Sequence, residues 1–307
     1  MSKILVATEK PFAKIAIEGM RQIIEDAGYT FALLERYTDT ATLWAAVSDA
    51  EGLIVRSDKV TPELIAAAPN LKVVVRAGAG YDNINLQACT ERGIVAMNTP
   101  GQNSNAVAEL AIGLMLFAAR NHFEPGTGTE LKGKKLGIHA YGNVGRLVAA
   151  LAKGFGMDVY AYDPFIPAEK MAAEGIKSLA TVEELYRTCQ YVSVHIPATP
   201  ETKRSINYAL ISSMPQGGTI VNTARAEVVD EEGLFKAITE RTDLRYFTDV
   251  APDCLHRLVN NVGARVFATS KKMGAETAEA NINAGIAAAR QAVDYLKNGN
   301  NRFQVNR

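Results

Sequence analysis

Cysteine is scarce in this chain. There are three in 307 residues, Cys89, Cys189 and Cys254, and none forms a Cys-x-x-Cys pair. That argues against a disulfide framework or a zinc site and suits a reducing, cytoplasmic location. The four histidines, His122, His139, His195 and His256, have no ligand-like spacing, so no metal is expected. Net charge is missing too, because 33 Lys and Arg balance 33 Asp and Glu. A general attraction for nucleic acid or an anionic membrane is therefore not expected. The strongly apolar run Leu110 to Ala119 is too short to span a bilayer. The first residues, MSKILVATEK, read as a strand rather than a signal peptide. No internal repeat or low-complexity tract is present.

What is present is alternation. Apolar strand-like runs such as KILVAT, GLIVR, LKVVVRAG, KLGIHA, DVYAYD, YVSVHIP and GTIVNTA are separated by helix-like stretches. Thr61-Pro62 reads as a cap and first helical position, and Thr181 with Glu184 as a capping box. Apolar strands alternating with helices imply an α/β chain with parallel sheet covered on both faces. About a dozen strands are too many for one compact sheet. The Gly, Pro and Asn-rich loop NTPGQNSN, 98–105, marks a break between two domains.

One turn carries chemistry. Ala140-Tyr141-Gly142-Asn143-Val144-Gly145 follows a strand-like run and opens a helix-like one. A dinucleotide turn ordinarily reads Gly-x-Gly-x-x-Gly, so an alanine stands in the first position. Gly142 would let the backbone approach a pyrophosphate, and Gly145 would let helix and strand pack closely. The pyrophosphate would rest on the helix N-terminus. Alanine in the first position is tolerable where its φ is negative. Asp163 ends the next strand, 18 residues beyond Gly145. An acid there binds ribose hydroxyls and repels a 2′-phosphate, which favours NAD over NADP.

Further stretches, RAGAGYDNIN from Arg76, NTPGQNSNAVAEL from Asn98, GTELKGKKLGI from Gly128 and VNTARAEVVDEEGL from Val221, run in the same order along nearly the whole chain. With the turn, they resemble the D-2-hydroxyacid dehydrogenases. The resemblance implies two Rossmann-like, doubly wound parallel-sheet domains with the active site in the cleft between them. It implies a discontinuous substrate-binding domain, 1–99 plus 285–307, and an NAD-binding domain, 100–284. It also implies a homodimer through the NAD-binding domain. The C-terminal regulatory domain of some longer relatives has no counterpart expected after the last helix.

The same resemblance assigns roles. Arg225 matches the arginine that holds the substrate carboxylate and polarises its ketone oxygen, for which a planar fork is suited. A structural alternative pairs Arg225 with Asp230 or Glu227. Asn143, Val144, His195, Ile196, Thr223, Ala224, Asp249 and Gly274 join Gly142, Gly145 and Asp163 at the cofactor. The family's proton donor is a histidine supported by a glutamate. Here Lys272 stands in the histidine's place and Cys254 in the glutamate's, with Asp253 beside it. The two departures agree chemically. A carboxylate raises the basicity of its neighbour, which helps an imidazole of pKa ~6.5 but not an ammonium of pKa ~10.4. Losing the carboxylate and keeping cations such as Lys271 and Arg225 nearby lowers a lysine usefully. Lys272 is thus the expected acid–base group, with Lys271, Asp253 and His256 as alternatives.

Within the family the chain is most similar to the branch acting on a phosphorylated 2-hydroxy acid. Arg56, Ser57 and Lys59 are the candidate anion-binding residues, although Asp58 interrupts them. Ala79 and Gly80 would offer backbone amides to the substrate carboxylate. A reductase of hydroxypyruvate, glyoxylate or another small 2-keto acid would share this frame and differ at Arg56–Lys59. A non-catalytic, NAD-sensing relative of the corepressors built on this fold is the alternative of another class.

Overall fold

A computed structural model describes residues 2–306. It divides into two compact units, one running to Asn103 and resuming at Ala275, the other Ser104–Gly274. Among the described residues no helix is long and apolar enough to cross a membrane. No group of three or more His, Cys, Asp or Glu side chains among them could hold a metal ion.

The first unit alternates strand and helix: β1 (Lys3–Thr8), α1 (Lys14–Asp26), β2 (Thr30–Glu35), α2 (Thr40–Val47), β3 (Ala50–Val55), α3 (Pro62–Ala66), β4 (Val73–Arg76), α4 (Leu86–Glu91) and β5 (Val95–Asn98). The strands form one parallel sheet in the order β2-β1-β3-β4-β5, a doubly wound arrangement. Continuous apolar runs such as Val73–Val75 are fully buried because both faces are covered. Thr61 accepts a hydrogen bond from the Leu64 N–H and Pro62 opens α3, as the Thr-Pro pair predicts.

The second unit contains α5 (Ser104–Ala119), β6 (Lys135–His139), α6 (Asn143–Gly154), β7 (Asp158–Tyr162), α7 (Ala168–Ala173), β8 (Lys177–Ser178), α8 (Val182–Thr188), β9 (Tyr191–Val194), α9 (Tyr208–Ser212), β10 (Thr219–Asn222), α10 (Glu231–Glu240), β11 (Arg245–Thr248), α11 (Leu255–Val262) and β12 (Val266–Ala268). Seven parallel strands lie in the order β12-β11-β10-β9-β6-β7-β8. The order reverses between β6 and β9, the place where α/β sheets bind ligands beyond their strand ends. Thr181 accepts from the Glu184 N–H, and the Glu184 carboxylate reaches back to the Ala180 N–H. The capping box therefore closes one residue upstream of its usual partner.

The chain then returns to the first unit through α12 (Ala278–Asn298). This junction, Gly274/Ala275, lies upstream of the 284/285 boundary expected from sequence, and the other, Asn103/Ser104, lies downstream of 99/100. The early return has a packing reason. Thr277 caps α12, Ala280 and Ala284 are already buried, and Asn281 accepts a hydrogen bond from Arg56. Farther along, Gly285, Ala288 and Ala289 keep α12 close to α1, where a Cβ on Gly19 would lie 2.4 Å from Ile286 Cδ1. The last residues protect an edge. The Val305 N–H donates to Ala96 O, and Asn306 Oδ1 accepts the Ala96 N–H beside β5.

Candidate functional site

The register of the seven-stranded sheet explains why scattered residues gather. Tyr162, His139, Val194, Asn222, Thr248 and Ala268 are successive Cα partners across β7, β6, β9, β10, β11 and β12. Six strands therefore end level. The next residue on each is Asp163, Ala140, His195, Thr223, Asp249 and Thr269. Four of these were candidate cofactor residues, and the other two open the turn to Gly145 and the segment to Gly274. The structure thus brings Gly142, Asn143, Val144, Gly145, Asp163, His195, Ile196, Thr223, Ala224, Arg225, Asp249, Lys272 and Gly274 to one edge of one sheet.

The turn after β6 has the two properties a pyrophosphate site needs. A Cβ on Gly145 would lie 2.3 Å from Ala140 O and 2.8 Å from Ile138 Cγ2, so only glycine lets α6 pack here. A Cβ on Gly142 would meet nothing within 4 Å, and no side chain caps α6. The amides of the first turn thus face open space beside an uncapped helix start. Ala140 does not meet the condition that would make alanine comfortable in this position. Its φ is +81°, not negative, so the alanine adopts the left-handed turn that the usual glycine would make without strain. Asp163 steadies this turn, accepting the Tyr141 N–H at 2.8 Å and the Phe165 N–H at 2.8 Å.

At the other end of the row, buried polar atoms lack partners among the described residues. These are Ser193 Oγ, His195 Nε2, Thr223 Oγ1 and Asp249 Oδ1. Such groups are costly unless something else satisfies them, and a ligand carrying donors and acceptors would do so. Burial, with the charge of His139 second, pushes His195 down to about 3. The ring is neutral near pH 7 and suited to binding, not proton transfer. Asp249 Oδ2 accepts the N–H groups of Met273 and Gly274 at 3.1 and 2.7 Å, tying the Lys272 segment to the end of β11. Asn222 shapes the Arg225 loop: its Oδ1 accepts the Ala224 N–H and its Nδ2 donates to Arg225 O. Asp230 is engaged by Arg204 at 2.6 Å. Lys272 is exposed, as are Lys271, Asp253 and His256. Burial, then the charge of Glu231, pushes the Cys254 thiol up to about 12, so it does not replace a carboxylate. Glu231 is occupied otherwise, accepting the N–H groups of Asp253 and Cys254 at 2.9 and 2.8 Å.

In the first unit, Val55, Arg76 and Asn98 are level partners. Arg56, Ser57 and Lys59 follow β3, and Ala79 and Gly80 follow β4, so the candidate substrate residues share adjacent strand ends. Arg56 is well occupied. Its guanidinium donates to Lys10 O, Pro11 O and Asn281 Oδ1 and lies 5.1 Å from the Phe12 ring centroid. Asp58 is buried and accepts from Tyr37 Oη, the Glu9 N–H and the Arg56 N–H. It latches the loop, which explains an acid among candidate anion binders. Ser57 and Lys59 are exposed.

Comparison with known proteins agrees with this geometry. Residues 117–254 match the family model described as D-isomer specific 2-hydroxyacid dehydrogenase, NAD binding domain. The structure resembles that of NAD+-bound 3-phosphoglycerate dehydrogenase from Entamoeba histolytica, with a TM-score of 0.89, 50% identity, and 100% of this chain and 99% of that one covered. The chain belongs to the D-isomer-specific 2-hydroxyacid dehydrogenase family. The match to the family's NAD-binding domain falls within the second unit. A D-3-phosphoglycerate dehydrogenase of Methanocaldococcus jannaschii is 37% identical over 271 residues, 82% of this chain and 51% of that one. A hydroxypyruvate reductase of Thermotoga maritima is 40% identical over 211 residues, 64% of this chain and 67% of that one. The chain spans about half the length of the first of these relatives.

Sequence reasoning did not single out several residues that lie beside these candidates. Asn222 could have been suspected from its place at the end of an apolar strand, where a buried amide needs partners. Ser193 lies inside β9, two residues before His195, and no motif marks it. Glu231 holds the loop where the family glutamate is absent, and only the fold connects positions 231 and 253.

Proposed function

We propose that this chain is an NAD-dependent dehydrogenase of 3-phospho-D-glycerate, forming 3-phosphohydroxypyruvate in the first step of phosphorylated serine biosynthesis. The observation that carries the reading is the level row of strand ends, with a glycine turn open to a pyrophosphate at one end and Arg225, Asp249 and the Lys272 segment at the other. The names of the relatives supply the phosphorylated substrate. The reading includes a cytoplasmic homodimer formed through the NAD-binding unit, the form that the family resemblance implies.

NAD, when bound, supplies the hydride acceptor. Gly142, Asn143, Val144 and Gly145 hold the pyrophosphate at the start of α6, and Asp163 takes the adenosine ribose. His195, Ile196, Thr223, Ala224, Asp249 and Gly274 line the nicotinamide end. Arg225 holds the substrate carboxylate through its guanidinium and stabilises charge on the oxygen at C2. Arg56, Ser57 and Lys59 take the phosphate, while the Ala79 and Gly80 amides assist the carboxylate. In oxidation, Lys272 Nζ as the neutral amine takes the C2 hydroxyl proton while hydride leaves C2. In reduction the ammonium returns that proton to the C2 oxygen. Asp253, next to Cys254 where the family glutamate is missing, is the remaining carboxylate candidate.

One observation favours a second reading. Arg56 already donates to two carbonyls and Asn281, which leaves less of its fork for a phosphate. An enzyme handling hydroxypyruvate, glyoxylate or another small acid needs no such site. The deciding assay follows absorbance of NADH at alkaline pH with NAD and, separately, 3-phospho-D-glycerate, D-glycerate and D-lactate. The expected result is turnover of the phosphorylated acid alone, with kcat lowered roughly 100-fold or more in Lys272→Ala. Turnover of only the unphosphorylated acids selects the reductase. NADH binding with no turnover of any acid selects an NAD sensor.

A further inference from the structure

Ala140 raises a question that the cofactor site itself does not answer. Its φ of +81° is disfavoured roughly tenfold for a residue with a Cβ relative to glycine. The Ala140 N–H bonds to Tyr162 O, which holds one side of the residue. On the other side, Tyr141 is nearly inaccessible although the turn around it opens to solvent. Its phenol donates to Glu174 Oε2 at 2.8 Å. The other Glu174 oxygen forms an ion pair with Arg146. Arg146 closes the circle: its guanidinium lies 5.0 Å from the Tyr141 ring centroid, and its Nε donates to Tyr141 O at 3.4 Å. Glu174 is itself held, since its backbone oxygen accepts from Lys153 Nζ on α6. Two helices and the turn are thus joined around one carboxylate.

We propose that Glu174, acting through Tyr141 and Arg146, is a positioning residue for NAD: it clamps the turn with Ala140 left-handed, so that Gly142 and the start of α6 stay presented to the pyrophosphate. The clamp does what the first glycine of such turns does by conformational freedom. Without it, Ala140 relaxes toward negative φ, and NAD binding must first restore the turn. The binding-competent fraction falls, and the apparent affinity falls with it. The inference rests on the assignment of the turn to NAD.

The test is a double-mutant cycle on NADH affinity, read by quenching of protein fluorescence or by calorimetry on the full chain. Tyr141→Phe removes only the hydroxyl and keeps the ring, and Glu174→Ala removes the carboxylate. Each is expected to weaken NADH binding about fivefold to tenfold, approaching the roughly tenfold cost of the left-handed alanine that the clamp offsets. In the Ala140→Gly background the same changes are expected to weaken binding less than about twofold, because glycine needs no clamp. Losses of equal size in both backgrounds would assign Glu174 a purely structural role and overturn the proposal. Wild-type affinity in Tyr141→Phe would also overturn it, whether or not Glu174→Ala folds. Absence of NADH binding by the wild type would instead refute the cofactor assignment on which the clamp depends.

Discussion

The buried end of β6 makes the second unit acid-sensitive in a calculable way. His139 is 6% exposed, its ring set edge-on to Tyr186 at 5.8 Å between centroids. Burial, partly opposed by the charge of Asp163, pushes it down to about 4 from 6.5. A histidine with a depressed folded pKa favours the neutral form. Above pH 6.5 both folded and unfolded chains hold it neutral, and no penalty exists. As pH falls below 6.5, the unfolded chain binds a proton that the folded chain refuses, so stability falls until pH 4. Each pH unit in that window costs about 1.4 kcal/mol, so pH 5 removes roughly 2 kcal/mol through His139 alone. His195, pushed down to about 3, adds a loss of the same sign. Urea unfolding followed by circular dichroism at pH 7 and pH 5 checks this in wild type and His139→Val. The quantity read is the difference between the two pH values, not the stability at either. Carboxylates titrate alike in both proteins and drop out. His139→Val is expected to lose about 2 kcal/mol less than wild type over this interval. An identical loss in the two proteins would show that His139 is not held neutral by burial.

Two other substitutions probe packing that serves the site. Gly145→Ala forces a Cβ against Ala140 O and Ile138, and is expected to cost about 1–3 kcal/mol by overpacking and to lower NADH affinity at least tenfold. Unchanged affinity in a folded variant would mean that α6 can shift without disturbing the turn. Asp58→Ala strips the Tyr37 hydroxyl and the Glu9 and Arg56 amides of their acceptor, with an expected loss of about 2–4 kcal/mol in chemical denaturation. If the variant instead keeps its stability and improves turnover of a phosphorylated acid, Asp58 is an electrostatic brake and not a latch.

Much of this protein is written locally in its sequence. Alternating apolar runs and helical stretches determine a parallel α/β chain, because a strand buried on both faces must be apolar throughout. The glycine spacing with Asp163, 18 residues on, marks the dinucleotide turn, since close approach of backbone to phosphate admits little else. Thr61-Pro62 and Thr181 to Glu184 determine helix starts through hydrogen bonds spanning three or four residues. The tertiary structure decides what depends on distant partners. It places Asp163, His195, Thr223 and Asp249 each one residue beyond a level row, because parallel register is set by packing across strands far apart in the chain. It makes Asp58 a buried latch through Tyr37, and occupies Arg56 through a helix that returns more than two hundred residues later. It also turns Ala140 to positive φ beside a clamp on Glu174. No local pattern encodes that conformation: alanine alone avoids it, and only contacts made by the folded chain hold it there.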